Sequence, residues 1–285
     1  MIAVCGDRRC YAAVCHRVLI TMILSLTLAA CAARAPVRPS GTATPDPGAI
    51  DAFVQATQRC AGLRTLTAEL RLSGRAGGEK VRGTIHAGLA APSALRFEAV
   101  APFGAPVFIL AGRDNRASLL LPRENRVLAD AAVPAVLERL TGLALAADDL
   151  RLILTACLVQ NTAPADGRAW PNGWRAVSVG AGITAYLKEI DAVPSVVAAD
   201  HGNWRVDYAN HQNGWPRSVR IRSADEGTLV DITAALEQVE INTTIDDKAF
   251  VVTPPAGAAP ITLDDLRSVA PLKQQEGGAS APPRR

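Results

Sequence analysis

A mainly β domain of the α+β class is what this sequence predicts: an antiparallel meander interrupted midway by two helices. Three observations lead there. Apolar and polar residues alternate with period two through a series of short runs, the mark of half-buried strands. Between residues 133 and 158 the spacing turns helical, and afterwards the strands resume. The composition is 49% hydrophobic but only 4% aromatic, so the apolar surface is mostly Ala, Val and Leu, and a hollow interior is permitted.

In order along the chain, Ile50 to Leu63 reads as a helix with Phe53, Val54, Thr57, Cys60 and Ala61 on one face. In Thr65–Ser73 the apolar set is Leu66, Ala68, Leu70 and Leu72. Glu79–Leu89 continues with Val81, Ile85, Ala87 and Leu89, and Leu95, Phe97 and Ala99 alternate with Arg96 and Glu98. Val107–Leu110, Ala117–Leu121 and Arg126–Ala129 are three more short runs, as expected of a meander with one wet face. Val133, Val136, Leu137 and Leu140 then recur at helical spacing up to Gly142. Asp148 or Asp149 can cap a second helix carrying Leu150, Ile153, Leu154, Cys157 and Leu158. Strands return at Arg175–Val179, Ile183–Leu187, Asn203–Tyr208, Pro216–Arg222 and Thr228–Ile241. Two helices placed midway in a meander must cover an open end or face of the sheet. A lid over an apolar cavity and a seal over a solid core fit the periodicity equally well.

The flanks have a different character. Arg8, Arg9 and Arg17 precede an apolar stretch from Val18 to Ala30, the layout of a secretory leader too short to span a bilayer. It ends in Leu28-Ala29-Ala30-Cys31, which resembles the bacterial lipobox. The resemblance implies that Cys31 accepts diacylglycerol and an N-acyl chain, and Ala32, in place of an aspartate, leans towards the outer membrane. Export by the Sec route is expected, since Cys10 and Tyr11 after Arg8-Arg9 fit a twin-arginine motif poorly. The expected organisation is a leader over 1–30, lipidated cysteine and flexible tether over 31–49, a folded domain over 50–270 and a disordered tail over 271–285. An extended tether at ~3.1 Å per residue would reach roughly 50 Å.

Little chemistry is on offer in the remainder. Of six cysteines, Cys5, Cys10 and Cys15 lie in the leader and Cys31 is the anchor. Cys60 and Cys157 either pair in an oxidising compartment or sit as small buried hydrophobes. Formal charge is +3, of which Arg8, Arg9 and Arg17 against Asp7 place +2 in the leader. Without a dense basic run, nucleic-acid binding lacks support. His86, His201 and His211 have no cysteine or carboxylate at metal-ligand spacing, and there is no nucleophile elbow, phosphate loop or HExxH helix. Asp148-Asp149 and Asp246-Asp247 read as caps or turns rather than catalytic pairs, because sequence neighbours on a helix do not face each other. No enzyme activity, metal or dissociable cofactor is expected.

Four stretches in a fixed order resemble the LolB family of outer-membrane lipoprotein receptors, and more broadly the LolA/LolB fold. They are Leu95-Arg96-Phe97-Glu98 leading into Ala101-Pro102-Phe103-Gly104; Leu137 to Gly142 with Asp149 to Leu154; Gly202 to Tyr208; and Pro216 to Ile221. The segment from Phe250 to Arg267 extends beyond the family pattern. The resemblance implies an incomplete, strongly curved antiparallel β-barrel with a helical lid over an apolar cavity. That cavity would hold acyl chains of lipoproteins in transit, with Leu70, Leu95, Phe97, Leu119, Leu137, Leu150, Ile153, Trp204 and Val206 as lining. Phe103, in a turn between Pro102 and Gly104, would insert into the membrane during delivery. The partners implied are lipoprotein acyl chains, a LolA-type periplasmic carrier and the outer membrane, for a monomer. A carrier or sensor of another lipid, and a structural lipoprotein with a filled core, stay open beside this reading.

Overall fold

Among the described residues the alternating runs become fifteen strands hydrogen-bonded into one sheet. The computed structural model describes residues 38–100, 104–158, 163–180, 182–223, 230–269 and 272. The described residues all fall in one compact unit. Cys31 and Phe103, and the leader, lie outside the described residues.

The strands are β1 (Thr44–Pro45), β2 (Thr65–Ala76), β3 (Glu79–Ala90), β4 (Ala94–Val100), β5 (Ile109–Arg113), β6 (Arg116–Leu121) and β7 (Arg126–Ala132). After the helices come β8 (Ala165–Ala169), β9 (Arg175–Ser178), β10 (Ile183–Ile190), β11 (Val193–His201), β12 (Trp204–Ala209), β13 (Ser218–Ser223), β14 (Val230–Ile241) and β15 (Ala259–Pro260). The order across the sheet is β1-β8-β9-β10-β11-β12-β13-β14-β2-β3-β4-β5-β6-β7-β15. Every neighbouring pair is antiparallel except β15 on β7. The two halves of the meander are zipped together by the long central strands β2 and β14, from Leu66↔Ile241 to Ala76↔Val230. The end strands do not pair with each other, so the sheet is unclosed. It curls because side chains as far apart in the order as Val177 on β9 and Leu121 on β6 bury into one continuous apolar cluster.

Among the described residues four α-helices accompany it: α1 (Gly48–Thr57), α2 (Val133–Thr141), α3 (Ala147–Leu154) and α4 (Leu263–Val269). Helix α1 packs on β8, β9 and β11 through Ala49, Ala52, Phe53 and Ala56. The expected face was different. Val54 is 53% exposed, and Gln58–Gly62, expected to continue the helix, tightens into a 3-10 turn. Gly142 ends α2 in the left-handed conformation at φ 77°, as its position suggested. Neither Asp148 nor Asp149 is the N-cap of α3. The helix starts after Ala146, whose N–H donates to the Asp149 carboxylate at 3.3 Å, while Asp148 pairs with Arg151.

Several features went beyond the sequence expectations. Strand β11 hides because Ser195 to Ala199 are buried without alternation and Pro194 interrupts the run. The tether, expected to be free over 31–49, is fixed from Arg38 onward: β1 pairs with β8, and the Arg38 guanidinium bonds to the sheet. Cys60 and Cys157 are joined in a disulfide with Cα atoms 5.6 Å apart.

Candidate functional site

Beneath α2 and α3 lies a cavity of about 80 Å³. Its floor is the inner face of the central strands: Leu70 and Leu72 of β2, Ile85 of β3, Phe97 of β4, Val219 and Ile221 of β13, Ile232 and Ala234 of β14. Phe108 closes one side. Leu137, Leu140 and Thr141 of α2, Leu143 and Leu145 of the connection, and Leu150 and Leu154 of α3 form the roof. The sequence folds this way because both helices carry a leucine stripe, and each leucine gains about 1.5–3 kcal/mol by leaving water.

Thr141 is the one polar residue in the wall, and its polar demand is already met. Its hydroxyl donates to the Leu137 carbonyl at 2.8 Å and accepts the Leu143 N–H at 3.3 Å. A cavity so lined stays dry, offers no directional contact and suits an aliphatic guest. Its size settles a second point. Ligand sites usually hold ~300–1,000 Å³, so a whole acyl chain enters only if the roof lifts.

The roof is held unevenly. At the far end of α3, Cys157 is bonded to Cys60, and Arg151, 1% exposed, donates to the Leu63 carbonyl at 3.0 Å and to Asp148 at 2.6 Å. Helix α4 leans on α2 through the fully buried Leu266, with Arg139 and Asp264 at 3.4 Å. Among the described residues the connection between α2 and α3 meets the sheet by apolar contact, and just past it the Ala147 N–H donates to the Asn115 side chain at 3.2 Å. A Cβ on Gly142 would stand 2.9 Å from the Val230 side chain and 3.7 Å from that of Ala76. The roof is therefore stapled covalently at the far end of α3 and rests at the Gly142 end by packing and that hydrogen bond.

Of the nine residues expected in the lining, Leu70, Phe97, Leu137 and Leu150 stand in this wall. Leu95, Leu119, Ile153 and Val206 are buried in the packed core instead, and Trp204 is half-buried at its edge. Alternation identifies the inward face of a strand, but not which inward side chains border a void. Leu272, expected in a disordered tail, is buried in the cavity wall. No periodicity surrounds it, so the sequence held no signal for it.

Among the described residues no cluster of His, Cys, Asp and Glu could hold a metal, and no helix is long and apolar enough to cross a membrane. His86 is exposed beside Glu69 at 3.8 Å. His211 is half-buried with a ring nitrogen 3.1 Å from the Val196 carbonyl, and burial holds its pKa below the ordinary 6.5. Burial pushes the phenol of Tyr208, which sits in the core, far up, so it stays neutral.

No protein-family model matches the chain, and no curated protein does either. Among solved structures, a DUF1329-family protein from Desulfovibrio piger is similar at TM-score 0.47 and 12% identity, over 73% of this chain and 97% of that one. A putative outer membrane lipoprotein-sorting protein domain from Vibrio parahaemolyticus follows at 0.44 and 8%, over 70% and 95%. A LolA superfamily protein from Nitrosomonas europaea gives 0.43 and 7%, over 73% and 98%. Likenesses this distant do not establish a family.

Proposed function

We propose that this chain is an envelope lipoprotein, anchored through acylated Cys31, that takes up the acyl chains of other lipoproteins and delivers them to the outer membrane as a LolB-like receptor. One observation carries the reading: a dry, leucine-roofed cavity under a helix pair that is stapled covalently at one end. Acyl chains leave water at ~0.8 kcal/mol per buried CH₂, so a triacylated protein crosses the periplasm only when shielded. A dispersive lining competes with the bilayer and still releases its guest, since no hydrogen bond has to break. Loading lifts the roof at Gly142 while the Cys60–Cys157 end stays fixed. The reading includes no catalysis.

Phe103 is the proposed inserting residue. Partitioning one phenyl ring contributes roughly 1.5–3 kcal/mol, enough to orient a domain but not to anchor it. A Phe103→Glu variant is expected to fold and bind acyl chains normally while losing delivery to vesicles; unimpaired delivery removes Phe103 from the mechanism.

The receptor role is tested by incubating the chain from residue 32 with a LolA-type carrier loaded with a lipoprotein of the same organism. Handover of the cargo is the expected result. A folded, acyl-binding chain that accepts nothing from an active donor would instead be a carrier or sensor of another lipid.

A further inference from the structure

The outer face of the sheet carries a row of charge that no sequence window reveals, because the row runs across strands. Following the pairings, Asp200 on β11 faces Arg205 on β12, then Arg222 on β13, Asp231 on β14, Arg75 on β2 and Lys80 on β3. Directly paired residues share a face, so these six side chains stand on one side of the sheet across roughly 24 Å. It is the outer side, since Val206, Ile221 and Val81, their strand neighbours, are buried. The parallel row two residues along adds Asp207, Arg220 and Arg82.

The carboxylates of these rows are engaged. Asp207, 2% exposed, is clamped between Arg38 at 2.6 Å and Arg222 at 2.7 Å. Asp200 accepts from Arg38 at 3.0 Å, and Asp231 from Arg220 at 2.6 Å. Among the described residues Arg75, Lys80 and Arg82 are exposed and make no ion pair. With Arg220 they border a groove of about 550 Å³, floored where β2 pinches against β14; a Cβ on Gly74, at φ 145°, would collide there with the Asp231 carbonyl.

Two placements say what this surface meets. The rows lie beside the pairing of Ala76 with Val230, on which the Gly142 end of the roof rests, so the groove adjoins the end of the cavity that opens. The Arg38 clamp sits on the same face, with the Arg38 guanidinium also 5.0 Å from the Tyr186 ring and 2.9 Å from the Ala199 carbonyl. Arg38 is seven steps along the chain from Cys31, which at ~3.3–3.6 Å each reach no more than about 25 Å. A lipid on Cys31 therefore keeps this face close to the bilayer, where the expected free tether would have allowed any orientation.

We infer that the Arg75–Lys80–Arg82 groove docks on anionic phospholipid headgroups and holds the opening end of the cavity against the membrane. The anchor part of the argument rests on the proposed lipidation of Cys31; the charge rows do not. Each basic side chain near an anionic surface gains through the negative surface potential, and the gain is screened by salt.

The test uses the chain from residue 32, which contains the whole compact unit, and its co-sedimentation with phosphatidylcholine vesicles with and without phosphatidylglycerol. Binding to the anionic vesicles, suppressed by salt, is expected. The triple variant Arg75→Gln, Lys80→Gln, Arg82→Gln should weaken it on the order of 100-fold. A charge-matched control, Arg64→Gln, Arg168→Gln, Lys248→Gln, should leave it intact. Equal binding to both vesicle types, or equal loss in the control, overturns the inference. So does a triple variant that binds vesicles normally but no longer accepts cargo from a donor carrier, since the groove then docks a protein. Uptake of a fluorescent fatty acid, measured on the same samples, separates this from the cavity reading: its absence fails the cavity and leaves the headgroup result standing.

Discussion

Two regions of one sheet solve the same packing problem differently. Over β8, β9 and β11 the cover is α1, whose buried face is Ala49, Ala52, Phe53 and Ala56, and this part of the sheet, β10 included, adds Ala185, Val196 and Ala199 to the same apolar cluster. Small faces approach closely: a Cβ added to Gly167 on β8 would stand 3.3 Å from that of Ala49. That region packs closely. Over β2–β4 and β13–β14 the cover is α2 and α3, whose leucines meet leucine, isoleucine and phenylalanine below. Long branched side chains meeting from both sides hold the backbones apart, and a void of about 80 Å³ is left. Side-chain size on the covering helix separates the hollow region from the closely packed one.

That contrast can be broken or sharpened by substitution. The largest effect should come from cutting the covalent link between the two regions. Replacing both Cys60 and Cys157 by Ser opens a 97-residue separation and should cost about 2–5 kcal/mol in urea unfolding, with the α3 end of the roof exchanging amide hydrogen sooner. Next, enlarging a small residue in the closely packed region, Ala185→Leu, should cost ~1–3 kcal/mol, because nothing can move aside. Enlarging one in the hollow region should not: Leu140→Trp is expected to stay within ~1.5 kcal/mol of the parent while blocking acyl uptake. Equal destabilisation by the last two would mean that both regions are filled. The smallest effect is electrostatic. His211 titrates lower folded than unfolded, so the unfolded chain takes up the proton first and stability falls as pH drops through 6.5, levelling below the folded value. His211→Gln should remove at most one proton's worth of that slope, measured as unfolding midpoint against pH.

Much of this was legible in the residues, and the exceptions share a cause. Alternation in Thr65–Ala76 and Glu79–Ala90 identified the central strands, and the leucine stripes with Gly142 identified the roof. What escaped was structure defined by a partner. Strand β11 loses alternation because both its faces are covered. Helix α4 and Leu272 have meaning only against α2 and the cavity. Arg38 looked like part of a Pro-rich tether, and only the fold brings Asp200 and Asp207 beneath it. The site divides in the same way: four of the nine expected lining residues reach the void and the others pack, a difference set by backbone separation and not by polarity.

The central claim is that the void under α2 and α3 admits an acyl chain, and titration of the chain from residue 32 with a fluorescent long-chain fatty acid measures it most directly. Saturable uptake that Leu140→Trp abolishes and Ala185→Leu preserves is the predicted result. Absence of uptake by the folded parent chain, or uptake undiminished in Leu140→Trp, would contradict the account.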